Sequence, residues 1–191
     1  MNRKITLLST LAFAWIATPA FAHMGHSTLG LTAGLAHPFL GWDHLLAMLT
    51  VGILAVRAQP PVRWSLPLLF VAMLALGAVF GIFGGPWAGL EGAVAGSLVL
   101  LGLLLVWGRQ LAAFPLYALI AATAWLHGMA HGAEVSGAWG SYLVGMLAAS
   151  LALHLGGVAL GKWSATAPSR AEKIYGGASA TAGLLLLAGI L

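Results

Sequence analysis

Apolar residues run along this chain in blocks of about twenty, and polar residues are confined to the gaps between them. Cut at its charges, prolines and glycines, the sequence gives long apolar segments at about 38–56, 64–84, 87–107, 112–133, 138–160 and 173–191. About twenty residues of helix, at 1.5 Å each, match the hydrocarbon thickness of a bilayer. The pattern therefore predicts six transmembrane helices. A shorter apolar stretch, 28–37, ends at His37-Pro38. It is too short to span. The residue before a proline avoids the α region, whereas proline itself is tolerated in a first helical turn. The stretch reads as an interfacial or re-entrant lead-in, with Pro38 opening the first span.

The N-terminus has a different pattern. Arg3 and Lys4 precede a short apolar run from Ile5 to Ile16, Pro19 breaks it, and Ala20-Phe21-Ala22 forms an A-x-A site. Residues 1–22 read as a cleavable secretory signal peptide. Cleavage leaves His23 as the mature N-terminus, outside the cytoplasm, and 23–191 as a single domain.

Composition narrows the class. Of 191 residues, 61% are hydrophobic and 6% charged, with a mean hydropathy of +0.99. Soluble domains carry about 25% charged residues. So few charges exclude a water-soluble globule, and the hydrophobicity excludes disorder. No basic patch underlies the net charge of +4, which argues against nucleic-acid binding. The lipid bilayer is the expected partner. Cysteine is absent, which removes disulfides, thiolate metal sites and a cysteine nucleophile.

Charge also orients the chain. With His23 outside, the loops 57–63, 108–111 and 161–172 face the cytoplasm. They hold Arg57, Arg63, Arg109, Lys162 and Arg170, with Lys173 at the edge, while loops 84–86 and 134–137 hold no Lys or Arg. This obeys the positive-inside rule. The expected fold is an all-α polytopic membrane helical bundle in a bacterial inner membrane, with six transmembrane helices and both termini periplasmic. Gly77-x-x-x-Gly81, Gly92-x-x-x-Gly96, Gly128-x-x-x-Gly132 and Gly157-x-x-x-Gly161 read as close helix contacts. Most of the eight tryptophans read as interface anchors. A homo-oligomer is a candidate assembly.

Against this apolar background stand seven histidines. His37, Asp43 and His44 fall at the outer end of the first span, Glu91 in the second turn of the third, and His127, His131 and Glu134 at the outer end of the fourth. Ionisable groups at membrane depth are costly and mark ion or substrate pathways. His127, His131 and Glu134, spaced i, i+4, i+7, form a ladder on one helix face. Asp43, about 100° round from His44, is a candidate metal ligand with the others, or a carboxylate that orients a ring. Imidazole plus carboxylate without thiolate suits a divalent first-row metal. His23 and His26 would be entrance ligands, or simply part of a mature tail. His154 is a core residue or an inner relay. Met48 reads as core, and Glu172 as a solvated cytoplasmic charge beside Lys173.

The run His37-Pro38-Phe39-Leu40-Gly41-Trp42-Asp43-His44-Leu45-Leu46-Ala47-Met48, continued by Val51-Gly52, closely resembles the signature of the HupE/UreJ family. His127-Gly128-Met129-Ala130-His131-Gly132-Ala133-Glu134 is similar to that family's second motif, and Glu91 falls where the family carries an acid. The resemblance covers essentially the whole chain. It implies a non-enzymatic permease for Ni²⁺, or Co²⁺ in some members, with the metal as substrate and no permanent cofactor. It also implies a functional link to hydrogenase or urease maturation proteins. The matching residues are His37, Asp43, His44, Glu91, His131 and Glu134; His127 joins them on geometry. Nickel/cobalt permeases of another type carry a His-x4-Asp-His motif, and the spacing here is His37-x5-Asp43-His44.

Two other classes compete. An intramembrane zinc hydrolase would use the same ligands and leave one position open for water. The other is a haem-binding or purely structural membrane subunit; haem would use His44 and His131 from facing helices, which leaves the carboxylates without a role.

Overall fold

The computed structural model describes residues 30–108, 111–135, 139–166 and 170–191, apart from the side chain of Pro61. The expected signal peptide, His23, His26 and Arg109 lie outside the described residues. Those described form helices joined by short turns: α1 (Leu31–Leu40), α2 (Trp42–Arg57), α3 (Pro60–Arg63), α4 (Ser65–Gly84), α5 (Leu90–Trp107), α6 (Ala113–Glu134), α7 (Trp139–Thr166) and α8 (Ala171–Leu187). The protein is all-helical over these residues.

Helices α4, α5, α6 and α7 are each long and apolar enough to cross a membrane. The pair α1–α2 passes the same test together but bends by 83°, as a broken span or a re-entrant loop. Helix α8 has 17 residues, and its first turn holds Glu172 and Lys173. Leu68, Phe80, Leu100, Val144 and Leu155 are exposed along the long helices, as side chains facing lipid would be. Exposed Trp64, Trp87, Trp107, Trp139 and Trp163 stand at or near helix ends, where amphipathic indoles favour the membrane–water interface.

The start of the first span differs from expectation. Residues 31–40 are helical, so His37 is helical despite preceding Pro38, and Pro38 lies inside α1 rather than opening α2. The chain breaks at Gly41, which is extended at φ −97° and ψ 124°. Packing explains the override. Gly34 of α1 and Gly145 of α7 each lie against the other helix's backbone, so closely that a Cβ on either would overlap it. That contact holds α1 helical past the local bias of a residue before proline.

Reciprocal glycine contacts of this kind join most of the bundle. Gly77 and Gly81 of α4 face Gly128 and Gly132 of α6. Gly52 of α2 meets Gly157 of α7, and Gly102 of α5 meets Gly176 of α8. Lipid tails are as apolar as leucine, so helices in a bilayer associate through close packing, which small residues permit. Three of the four expected glycine motifs make such contacts. Gly92 and Gly96 do not: a Cβ at Gly92 would meet only the Leu187 side chain at 3.9 Å, and one at Gly96 would meet nothing within 4 Å. Between these glycine-lined contacts sits a core that includes Met48, Phe70, Leu74, Leu98, Leu101, Ile120 and Met146. Met48 is thus a core residue, as the sequence suggested.

Glu172 corrects the expectation of a solvated charge. Its carboxylate is half-buried, accepts from the Arg57 Nε–H at 2.5 Å, pairs with a second nitrogen of that guanidinium, and accepts from the Ser164 hydroxyl at 2.5 Å. Arg57 also donates to the Leu105 carbonyl at 3.3 Å. The four residues come from α2, α5, α7 and α8. Sequence distance concealed the contact, since Arg57 and Glu172 are 115 residues apart.

Candidate metal centre

Two structural decisions assemble the polar site. The first is the seating of α6. Gly128 and Gly132 face α4, which turns the neighbouring positions, His127 and His131, into the bundle, where they are 0% and 1% exposed. The second is the break before α2. A Cβ at Gly41 would stand 2.7 Å from Asp43 Oδ1 and 2.9 Å from His44 Nδ1. Glycine therefore leaves room for the Asp43 and His44 side chains to fold back over the break and bond each other at 2.7 Å.

The imidazoles from the two regions converge. Ring centroids are 4.0 Å apart for His44 and His131, 4.5 Å for His37 and His131, and 4.8 Å for His44 and His127. His37 and His44 are 6.0 Å apart. Ligand atoms of His37, His131 and Glu134 all lie within 4.8 Å of one another. Burial is graded across the group. Glu134 is exposed, His37 half-buried, His44 and His131 buried, and His127 fully buried. The ladder of α6 thus leads from the surface into the core.

The hydrogen bonds define which nitrogens are available. Asp43 is a carboxylate and accepts, so His44 donates through Nδ1–H and carries its lone pair on Nε2. Ser97 spends its one hydroxyl hydrogen on the Val94 carbonyl at 2.7 Å, so it accepts from His127 Nε2–H at 3.2 Å. The lone pair of His127 is then on Nδ1. His44 Nε2, His127 Nδ1 and His131 Nε2 are buried and have no hydrogen-bond partner among the described residues. A buried polar atom left unpaired costs about 1–3 kcal/mol. Two of the rings thus share one design: a hydrogen bond sets the tautomer on one nitrogen, and the other nitrogen presents a bare lone pair. Histidines that bind metals are held in this way.

Six of the expected residues therefore meet: His37, Asp43, His44, His127, His131 and Glu134. Asp43 is bonded to the His44 ring. Glu91 is less close. Helix α5 starts at Leu90, after the left-handed Gly89, so Glu91 falls in the first turn rather than the second. It is exposed and is not among the residues whose ligand atoms gather with those of His37, His131 and Glu134. His154 lies deeper, with its ring against Phe70.

Sequence reasoning missed Ser97, Tyr142 and Phe70. Ser97 is the one hydroxyl residue of α5, a signal that would have found it. Tyr142 packs edge-on to His37 at 5.7 Å and Phe70 lies 6.2 Å from His127; in the sequence both look like ordinary core aromatics.

Comparison with known proteins agrees with these motifs. The family model described as HupE / UreJ protein matches residues 11–186. Protein HupE of Rhizobium leguminosarum bv. viciae is 37% identical over 190 residues, covering 97% of this chain and 98% of that protein. No solved structure matches.

Proposed function

The chain belongs to the HupE/UreJ family, and we propose that it is a permease that carries Ni²⁺ inward across the bacterial inner membrane. The observation that carries this reading is the convergence of buried imidazole rings, three of which present a nitrogen with no hydrogen-bond partner among the described residues. A dication entering a low-dielectric interior must exchange its water for other donors, and negative charge nearby lowers the remaining cost. Glu134 and His37 stand at the exposed edge, His131 and His44 behind them, and His127 deepest. The ion would pass along that order, exchanging water for nitrogen. Glu91 and Asp43 add negative charge around the group, and Asp43 also makes the His44 lone pair more basic.

In this reading residues 1–22 are removed, six helices cross the membrane and both termini are periplasmic, so the cluster opens to the periplasm. His23 and His26 collect metal at the entrance. The delivered nickel serves hydrogenase or urease maturation. Co²⁺ has the same ligand preferences and is the second candidate substrate.

Accumulation of ⁶³Ni²⁺ in cells expressing the wild type, Asp43→Ala and Glu134→Ala tests the proposal. Both variants should accumulate at least about tenfold less than the wild type, the range seen when groups supporting a metal ligand are lost. Accumulation by the wild type no greater than in cells lacking the protein would overturn the transport reading. Equal accumulation by all three proteins would overturn the residue assignment.

A further inference from the structure

Behind His127 the graded path meets an aromatic ring. Phe70 of α4 is fully buried, with its ring centroid 6.2 Å from that of His127 and 4.7 Å from that of His154. His154 of α7 repeats the design of the outer ligands. Its Nδ1–H donates to the Ser150 carbonyl at 2.6 Å, which leaves the lone pair on Nε2. That nitrogen is buried, the residue is 0% exposed, and Nε2 has no partner among the described residues. A histidine kept only for packing would carry this desolvated acceptor at a cost of about 1–3 kcal/mol with no return. Two imidazoles with bare lone pairs, those of His127 and His154, therefore both lie against one phenyl ring.

Resting on the transport reading, we propose that Phe70 is an aromatic gate between the imidazole cluster and His154, and that His154 receives the cation on the inner side. With the ring in place the passage is an apolar constriction, which a dication cannot occupy without losing its donors. Rotation of one side chain removes the constriction, and the positions flanking it already present nitrogen.

The test uses the full chain in proteoliposomes, with Ni²⁺ flux down its own gradient as one readout and Co²⁺ absorbance titration of the purified protein as the other. Phe70→Leu widens the constriction and should raise flux on the order of fivefold. Phe70→His inserts a ligand between His127 and His154; it should tighten Co²⁺ binding and lower flux, each on the order of tenfold or more. His154→Leu should lower flux by a similar factor and leave Co²⁺ affinity of the outer cluster at the wild-type value. A residue that only packs would lower flux in both Phe70 variants and leave Co²⁺ binding unchanged, and that result overturns the gate. So does wild-type flux in both. Wild-type vesicles that pass no nickel overturn the transport reading itself, whereas wild-type flux that ignores position 70 overturns the gate alone.

Discussion

Helix α2 carries a polar group near each end, and the two are built on opposite principles. Near its start, His44 joins His37, His127 and His131, and buried nitrogens have no partner among the described residues. At its last residue, about 20 Å away by helical rise, Arg57 is bound by Glu172 and the Leu105 carbonyl, and Glu172 in turn by Ser164. The charges of this second group satisfy one another and tie four helices together. Beside it lies a cavity of about 170 Å³ lined mostly by aliphatic residues such as Leu54, Val62, Leu104 and Leu116. Both ends withdraw polar side chains from solvent, the first more completely than the second. What distinguishes them is whether the polar atoms are used up within the protein. A satisfied group stabilises the fold, and an unsatisfied convergent group is available to a ligand.

The contrast is sharpest for single truncations at each end. His44→Ala removes a bare ligand and should reduce ⁶³Ni²⁺ accumulation on the order of a hundredfold, while the midpoint of thermal unfolding in detergent moves little. A large fall in that midpoint would place His44 among the structural residues. Glu172→Ala should do the reverse. It leaves a guanidinium at 23% side-chain exposure without its carboxylate and should cost about 2–3 kcal/mol of stability. Co²⁺ affinity of the protein that remains folded should be unchanged. A weakened Co²⁺ titration in Glu172→Ala would show that the two ends are coupled. The smallest effect is expected at Gly41. A methyl group there crowds both Asp43 and His44, and Gly41→Ala should lower metal affinity on the order of tenfold with ordinary expression. Unchanged affinity would mean that the Asp43–His44 hydrogen bond does not prepare the ring.

Much of this contrast was legible before any coordinates. The apolar blocks located α4 to α7 within a few residues, apart from the C-terminal end of α7, because a helix in a bilayer must satisfy its own backbone and announces its length as hydropathy. The i, i+4 spacing of His127 and His131 and the adjacency of Asp43 and His44 were local facts, and the structure keeps both. Long-range or close-approach facts were less visible. Pro38 drew attention as the helix boundary, but the break lies at Gly41, because α1 is held helical by its contact with α7. Glu172 looked solvated because its partner is 115 residues away. Phe70 is one apolar residue in an apolar helix, and only its neighbours make it notable.

The glycine contacts carry a mechanical consequence. They join α4 to α6, α5 to α8, and α7 to both α1 and α2, which divides the bundle into three tightly meshed bodies. The nitrogen donors do not all belong to one body. His37, His44 and His154 ride with the α1–α2–α7 body, and His127, His131 and Phe70 with the α4–α6 body. A slight slide or rock of one against the other would alter every cross-body donor spacing at once, while the backbone contacts inside each body stay intact. On the proposed transport reading, the ion's route would be a joint rather than a bore, with dimensions set by the relative pose of two glycine-meshed pieces.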